Sequence, residues 1–203
     1  MANQVGAYTF GNVVVIPAKR ASRRLPGKNM RDCAGKPLVQ WTIEAAIEAD
    51  IGPVVVTTDW PELADMASVF CDVVTERPKM AGERTNLAEV VTKAITQYTC
   101  ETVVMLQPTS PLRNAGDIFA AWLAYAGHDS LASYSDIGKH QELLTTNGAI
   151  WMTNREVLEK RRRFRGDNHR VFMMPHNRSV DIDQRYQLDM ASALLLTPQR
   201  PID

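Results

Sequence analysis

A cluster of basic residues follows the first apolar run of the chain and is the strongest candidate for chemistry. The run Val13–Ile16 is short and rich in β-branched residues, which is typical of a buried strand. Pro17 is expected to end its pairing, because proline has no N–H to donate. The next dozen residues contain five cations and no acidic residue: Lys19, Arg20, Arg23, Arg24 and Lys28. Ligands of open α/β sheets bind at the carboxyl ends of strands, so this basic loop is a candidate site for a polyanion, the alternative being a solvated loop.

A pair of carboxylates near the end of the chain is the second candidate. Asp181 and Asp183 alternate with Ile182, so in an extended segment both carboxylates face the same way. Two carboxylates beside a basic anion site are what Mg²⁺ needs when phosphate oxygens supply other ligands. Such pairs are also common on protein surfaces, and the spacing alone leaves that alternative open.

The elements that must position these groups alternate between strands and helices. Strands are predicted at 13–16, 53–57, 72–75, 102–106, 131–135, 149–152 and 171–174, and helices at 38–49, 61–70, 87–98, 117–126, 155–160 and 184–195. The last helix is expected to bury Tyr186, Met190 and Leu194. The alternation predicts an α/β fold with a mostly parallel sheet and helices on both faces. Because no linker or repeat interrupts it, residues 1–203 are interpreted as one domain.

Composition excludes several classes of protein. Lys plus Arg and Asp plus Glu number 23 each, so the net charge is zero. Proteins that coat nucleic acid or anionic membranes usually carry a basic excess. The run Arg161–Arg165 is therefore interpreted as a solvated helix end, with contact to a sugar acid or to nucleic acid as the alternatives. No apolar run approaches membrane-spanning length, no signal pattern opens the chain, and its three cysteines lack metal-ligand spacing. We therefore expect a cytoplasmic protein that binds neither nucleic acid nor membrane.

Several segments match the motifs of one enzyme family in the family's order. The basic loop is similar to IPAR-x-x-S-K-x-x-P-x-K-N, residues 77–78 match an R-P pair, and residues 106–113 match LQPTSPLR. Residues 147–151 are similar to NGAIY, and residues 181–183 match DID. On these motifs the chain resembles the acylneuraminate (CMP-sialic acid synthetase-like) cytidylyltransferase family. The RLPGK part of the loop also resembles the related Kdo cytidylyltransferases, but LQPTSPLR and NGAI favour the sialate branch.

The resemblance implies a single Rossmann-like nucleotide-sugar transferase domain and a Mg²⁺-dependent reaction. In that reaction the anomeric hydroxyl of a 2-keto sugar acid attacks the α-phosphorus of CTP, and pyrophosphate leaves. The residues that the resemblance implies for nucleotide binding are Ala18, Lys19, Ser22, Arg23, Lys28, Asn29 and Arg77. Those that it implies for binding the sugar acid are Gln107, Arg113 and Asn147, although Gln107 and Arg113 could instead tie a turn together. Lys28, Asp181 and Asp183 would be catalytic, and both aspartates would hold Mg²⁺.

The chain departs from the family pattern at two places. Lys19 stands where the family usually has Arg, which keeps the charge but loses the planar fork for bidentate phosphate contact. The family usually separates an H-P motif from NGAIY by several tens of residues, whereas here Asn147 follows His140 by seven positions. That stretch supplies much of the family's sugar-binding wall and dimer arm, so the acceptor and a homodimer stay open. The alternatives are a nucleotidylyltransferase with a smaller or unusual acceptor and a non-catalytic nucleotide-binding relative.

Overall fold

A seven-stranded sheet dominates the computed structural model, which describes residues 8–74, 86–135 and 145–197. The strands are β1 (Tyr8–Ala18), β2 (Asp32–Cys33), β3 (Lys36–Pro37), β4 (Val54–Thr58), β5 (Asp72–Val74), β6 (Tyr98–Leu106), β7 (Ser130–Ser135), β8 (Thr146–Asn154) and β9 (His169–Met174). The helices are α1 (Leu38–Ala49), α2 (Pro61–Ala67), α3 (Leu87–Ala94), α4 (Ala115–Tyr125), α5 (Arg155–Arg161) and α6 (Arg185–Leu196). None of these helices is long and apolar enough to cross a bilayer.

The sheet is mostly parallel, as predicted. Its strand order is β5-β4-β1-β6-β8-β7-β9, and the first four strands of that order are parallel. Strand β8 runs antiparallel to both of its neighbours, while β9 is parallel to β7. The carboxyl ends of β1, β4, β6 and β9 and the start of β8 therefore lie along the same edge. Strands β2 and β3 form a separate two-stranded antiparallel ladder just after the basic loop.

Helices cover both faces of the sheet, because successive side chains of each buried strand point to opposite faces. On β1, Val14 and Ile16 are fully buried in the apolar layer that contains α1, α2 and α4. Val13 and Val15 are fully buried in the opposite layer, which contains α3 and α5. The α/β fold with a mostly parallel, doubly covered sheet is thus confirmed.

Pro17 does not end β1, contrary to the expectation from sequence. It pairs in register with Thr57 of β4, and the strand continues to Ala18. The ladder between β1 and β6 ends earlier, at Val15 opposite Met105. Beyond Val15 the strand therefore has a neighbour on one side only, where a residue without an N–H is tolerated.

Helix α2 ends at Ala67, three residues before its predicted end, and helices α3 and α6 differ from their prediction because of neighbouring elements. Helix α3 ends at Ala94 and not at residue 98, because Tyr98 begins β6 and its hydroxyl donates to Asp72 at 2.7 Å. Helix α6 buries Leu188 and Ala191, whereas Tyr186 and Met190 are 62% and 44% exposed. The surface that α6 covers is a small apolar cluster that includes Ile182, and the position of that cluster decides which stripe of the helix is buried.

Candidate functional site

The basic loop leaves the sheet at the carboxyl end of β1 and is fixed by backbone contacts. Gly27 has a φ of +67°, and this left-handed residue precedes a turn of 3₁₀ helix over Lys28–Met30. The backbone N–H of Arg20 donates to Asp59 Oδ1 at 2.7 Å, which attaches the loop to the end of β4. Asn29 is 4% exposed, and its Nδ2 donates to the carbonyl of Lys19 at 2.9 Å. Asn29 Oδ1 is buried and has no hydrogen-bond partner among the described residues.

Lys28 joins the basic loop to the acidic segment, here defined as residues 178–183. Its Nζ donates to the carbonyl of Ile182 at 2.9 Å and lies 3.2 Å from Asp183 Oδ1. Arg24 Nη2 lies 2.7 Å from the other oxygen of Asp183. The lysine side chain is 15% exposed and that of Arg24 is 64% exposed. Two groups more than 150 residues apart in sequence therefore meet at this edge of the sheet.

The remaining predicted phosphate-binding residues lie on the same loop. Ala18 is buried at the end of β1, Ser22 is half-buried, and Lys19 and Arg23 are exposed. The predicted nucleotide contact Arg77 lies outside the described residues, as do His140 and most of the segment that precedes Asn147. The loop thus exposes the cationic side chains of Lys19 and Arg23 to solvent, whereas that of Lys28 is largely buried.

The two aspartates of the acidic segment differ in their surroundings. Burial raises the pKa of Asp181, and the Asp183 carboxylate adds to that rise, while Thr109, Lys28 and Arg24 oppose it. Ile182 is fully buried between them, and its N–H donates to the carbonyl of Thr109 at 2.8 Å. The carboxylates at positions 181 and 183 consequently lie beside the turn that follows β6.

The turn over residues 107–113 is tied together by Arg113. This side chain is 1% exposed, and its Nη1 donates to the carbonyls of Gln107 and Ala149 at 3.3 and 3.0 Å. Burial lowers the pKa of Arg113 to about 10, with Asp117 opposing the shift. Gln107 packs over Gly148, where a Cβ would lie 3.1 Å from Gln107 Oε1. Gly148 has a φ of +75°, so a side chain there would strain the backbone as well.

Asn147 is 8% exposed and uses its amide within the protein. Its Oδ1 accepts from Ser133 Oγ at 2.6 Å and from the N–H of Ala149 at 3.1 Å. Its Nδ2 donates to Ser179 Oγ at 3.0 Å, which connects β8 to the acidic segment. Through these contacts Asn147 links β7 and β8 to the acidic segment.

The structure thus brings Lys28, Asp181 and Asp183 together and places Gln107 on an adjacent wall. Three residues that the sequence analysis did not assign also belong to this region: Arg24, Asp117 and Arg178. Arg24 was visible as one of the loop cations, but nothing in the sequence pairs Asp117 with Arg178. Within the described ranges no three His, Cys, Asp or Glu side chains gather around a metal position. Among the described residues, Asp181 and Asp183 are thus a pair of carboxylates without a third such side chain beside them.

Open α/β sheets bind their ligands at the carboxyl ends of their strands, which is where this chain places the basic loop and the acidic segment. Residues 13–184 match the family model described as "Cytidylyltransferase". The chain belongs to the cytidylyltransferase family, whose members are nucleotidyltransferase enzymes, and the expected family is confirmed.

Three known proteins illustrate the likeness. The chain is 28% identical to an N-acylneuraminate cytidylyltransferase of Streptococcus agalactiae serotype III (strain NEM316), over 85% of this chain and 50% of that protein. It thus spans about half the length of the curated relatives it matches. A CMP:2-keto-3-deoxy-manno-octonic acid synthetase solved with CTP shares the fold, with a TM-score of 0.76 and 18% identity over 91% of this chain and 98% of that one. The Rv0371c protein of Mycobacterium tuberculosis, solved with manganese, has a TM-score of 0.64 and 13% identity over 90% and 97%.

Proposed function

We propose that this chain transfers CMP from CTP to the anomeric hydroxyl of a 2-keto sugar acid, a sialic acid or related nonulosonate, with release of pyrophosphate. One P–O bond forms between the sugar oxygen and the α-phosphorus, and the bond from that phosphorus to the pyrophosphate oxygen breaks. The hydroxyl proton passes to base or solvent. The observation that carries the proposal is the contact of Lys28 with Asp183, which unites a cationic loop with a carboxylate pair.

Lys28 is proposed to neutralise charge on the α-phosphate. Phosphoryl transfer needs positioning and charge stabilisation more than covalent chemistry from the protein. Lys28 is held by the Ile182 carbonyl and by Asp183, so its ammonium is fixed before the substrate arrives. Lys19, Ser22 and Arg23 of the same loop would bind the rest of the triphosphate, with Ala18 as the backbone contact where the loop leaves β1. Asn29 would bind cytidine or its ribose through the buried Oδ1 that lacks a partner among the described residues.

Asp181 and Asp183 are proposed to hold a divalent cation, Mg²⁺ in the cell. Their oxygen donors fit this ion, which takes one or two carboxylates and completes its shell with phosphate oxygens and water. When bound, Mg²⁺ supplies neutralisation of phosphate charge and acidification of the attacking hydroxyl. In support, a structural neighbour was solved with manganese. In the structure, Arg24 and Lys28 balance the negative charge of Asp183.

The wall beside Gln107 is proposed to receive the sugar acid. Gln107 is half-buried, and its side-chain amide packs against Gly148, where a Cβ would lie 3.1 Å from Oε1. The contacts of Arg113 and Asn147 favour a supporting role, since their bonds run to carbonyls and to neighbouring side chains. Arg77, outside the described residues, remains a proposed contact to cytidine.

The test is pyrophosphate release from CTP with Mg²⁺ and a panel of acids that includes N-acetylneuraminate and 3-deoxy-manno-octulosonate. Release that requires both CTP and one of the acids, and that gives a CMP-sugar by mass spectrometry, is expected. UTP and a reaction without acid are the controls. Binding of CTP without release for any acid in the panel would instead identify a non-catalytic nucleotide-binding relative. Release with only a smaller hydroxy acid would identify a different acceptor.

A further inference from the structure

The acidic segment begins at an ion pair that reaches across to helix α4. Arg178 Nε and Nη2 donate to the two carboxylate oxygens of Asp117 at 2.9 and 2.8 Å, a bidentate arrangement. Asp117 is 5% exposed, and the side chain of Arg178 is 26% exposed. Bonds of this kind are short, charge-assisted and fixed in orientation. The pair consequently fixes the point at which the chain turns toward Asp181.

Asp117 is itself held rigidly by α4. Its side chain accepts from the N–H of Asn114, while its own N–H donates to the side chain of Asn114, so the two residues form the capping box of the helix. The Asp117 carboxylate also raises the pKa of buried Arg113, against the lowering effect of burial. Arg113 is the residue that ties together the turn after β6. The Asp117 carboxylate therefore binds Arg178 at the start of the acidic segment and also stabilises the charge of Arg113 in the turn after β6.

The acidic segment has further attachment points beyond Arg178, some of which lie on either side of Asp181. Ser179 Oγ accepts from Asn147 Nδ2 at 3.0 Å. Ile182 donates its N–H to Thr109 and accepts from Lys28 Nζ through its carbonyl. Asp181 lies between these anchors, only three residues from Arg178. A change in the direction of the Arg178 backbone would thus be transmitted to the carboxylate over a short length of chain.

We propose that Arg178 and Asp117 are positioning residues that hold the acidic segment in the geometry needed for its carboxylates to bind a divalent cation with the nucleotide. Neither residue contacts the substrates; both act through the backbone that leads to Asp181. The inference rests on the proposed function for the identity of the ligand, but the order of the segment can be measured without it.

The first test is amide hydrogen exchange of the peptide that covers residues 178–184. Arg178→Gln removes the charge and the fork, and exchange of the Ile182 amide should rise about tenfold, as expected for the loss of hydrogen bonds to a charged group. Arg178→Lys keeps one charged contact and should restore part of the protection. The matched control is Arg161→Gln, which removes a bidentate pair with Asp167 on an exposed loop after α5. It should leave the peptide unchanged. Unchanged exchange in Arg178→Gln, or a rise spread equally over β1 and β6, would overturn the inference.

The second test separates the positioning role from the proposed function. Calorimetry measures CTP binding in EDTA and again with Mn²⁺ in both the wild type and Arg178→Gln. The metal-dependent gain in affinity should fall about tenfold in the variant, a typical effect of losing a partner behind a metal ligand, while binding in EDTA stays unchanged. An equal loss in both conditions would contradict positioning of the carboxylates. No gain from Mn²⁺ in the wild type would refute the metal part of the proposed function, and the exchange result would still decide the role of Arg178.

Discussion

Lys28 is the residue whose removal tests the proposed reaction most directly. In Lys28→Met the side chain keeps its approximate length and loses its charge and its donors to Ile182 and Asp183. Loss of one preorganised charge stabiliser lowers turnover by about 100- to 1,000-fold, or about 2.7–4 kcal/mol of transition-state stabilisation. The same substitution breaks an ion pair whose members are 15% and 27% exposed. Removing one member of a mostly buried pair is destabilising, but Asp183 keeps Arg24 as a partner at 2.7 Å, so we expect a loss of about 1–3 kcal/mol for the charged hydrogen bonds of the lysine. Comparing kcat with the unfolding midpoint separates the loss of the charge stabiliser from this loss of stability.

The assay compares kcat for pyrophosphate release with the midpoint of urea unfolding for the wild type and each variant. Lys28→Arg keeps the charge with a different shape and should retain more activity than Lys28→Met. Lys160→Met is the control, because Lys160 forms an exposed pair with Glu156 on α5 and should leave kcat unchanged. A kcat for Lys28→Met within about twofold of the wild type would refute placement of Lys28 at the α-phosphate, since preorganised donors do not act so weakly.

Three further predictions concern the walls of the site and the rim of the sheet. Gly148→Ala should raise KM for the sugar acid and cost about 1–2 kcal/mol of stability, because the residue is left-handed and its Cβ would press on Gln107; steady-state kinetics and urea unfolding test both effects, and an unchanged KM would contradict the proposed wall. Ile182→Ala should destabilise the chain by about 2–5 kcal/mol, because a fully buried side chain is removed; a loss in urea unfolding below about 1 kcal/mol would contradict that burial. Burial, with Arg165 adding to it, lowers the pKa of His169, so its protonation favours the unfolded state and stability should fall as the pH drops below about 6.5; His169→Gln should flatten that decline in urea unfolding between pH 7 and 5, and a profile identical to that of the wild type would exclude His169 as its source.

Local patterns in the sequence predicted the sheet well, since burial on two faces requires runs such as Val13–Ile16 and residues 102–106. The limits of elements were less predictable. Pro17 continues β1 because its partner on one side ends first, and residue 98 joins a strand because Tyr8 and Asp72 are within reach of it. On α6 the apolar residues Tyr186 and Met190 are exposed, since the helix packs over Ile182 with a different stripe. Each outcome depends on a neighbour that lies far away in the chain.

For the site, too, the sequence determined some features and the tertiary structure decided others. The sequence by itself determined the residue types: a basic loop after the first strand, a carboxylate pair, and motifs in family order. Only the tertiary structure decided that Lys28 meets Asp183, that Arg113 is buried in a turn, and that Asn147 braces the acidic segment. It also paired Asp117 with Arg178, residues 61 positions apart. The physical reason is that parallel strands bring their carboxyl ends to one edge of the sheet, so side chains distant in sequence become neighbours. Although the chain has no net charge, its fold thereby brings the basic loop and the carboxylates of the acidic segment together at one edge of the sheet.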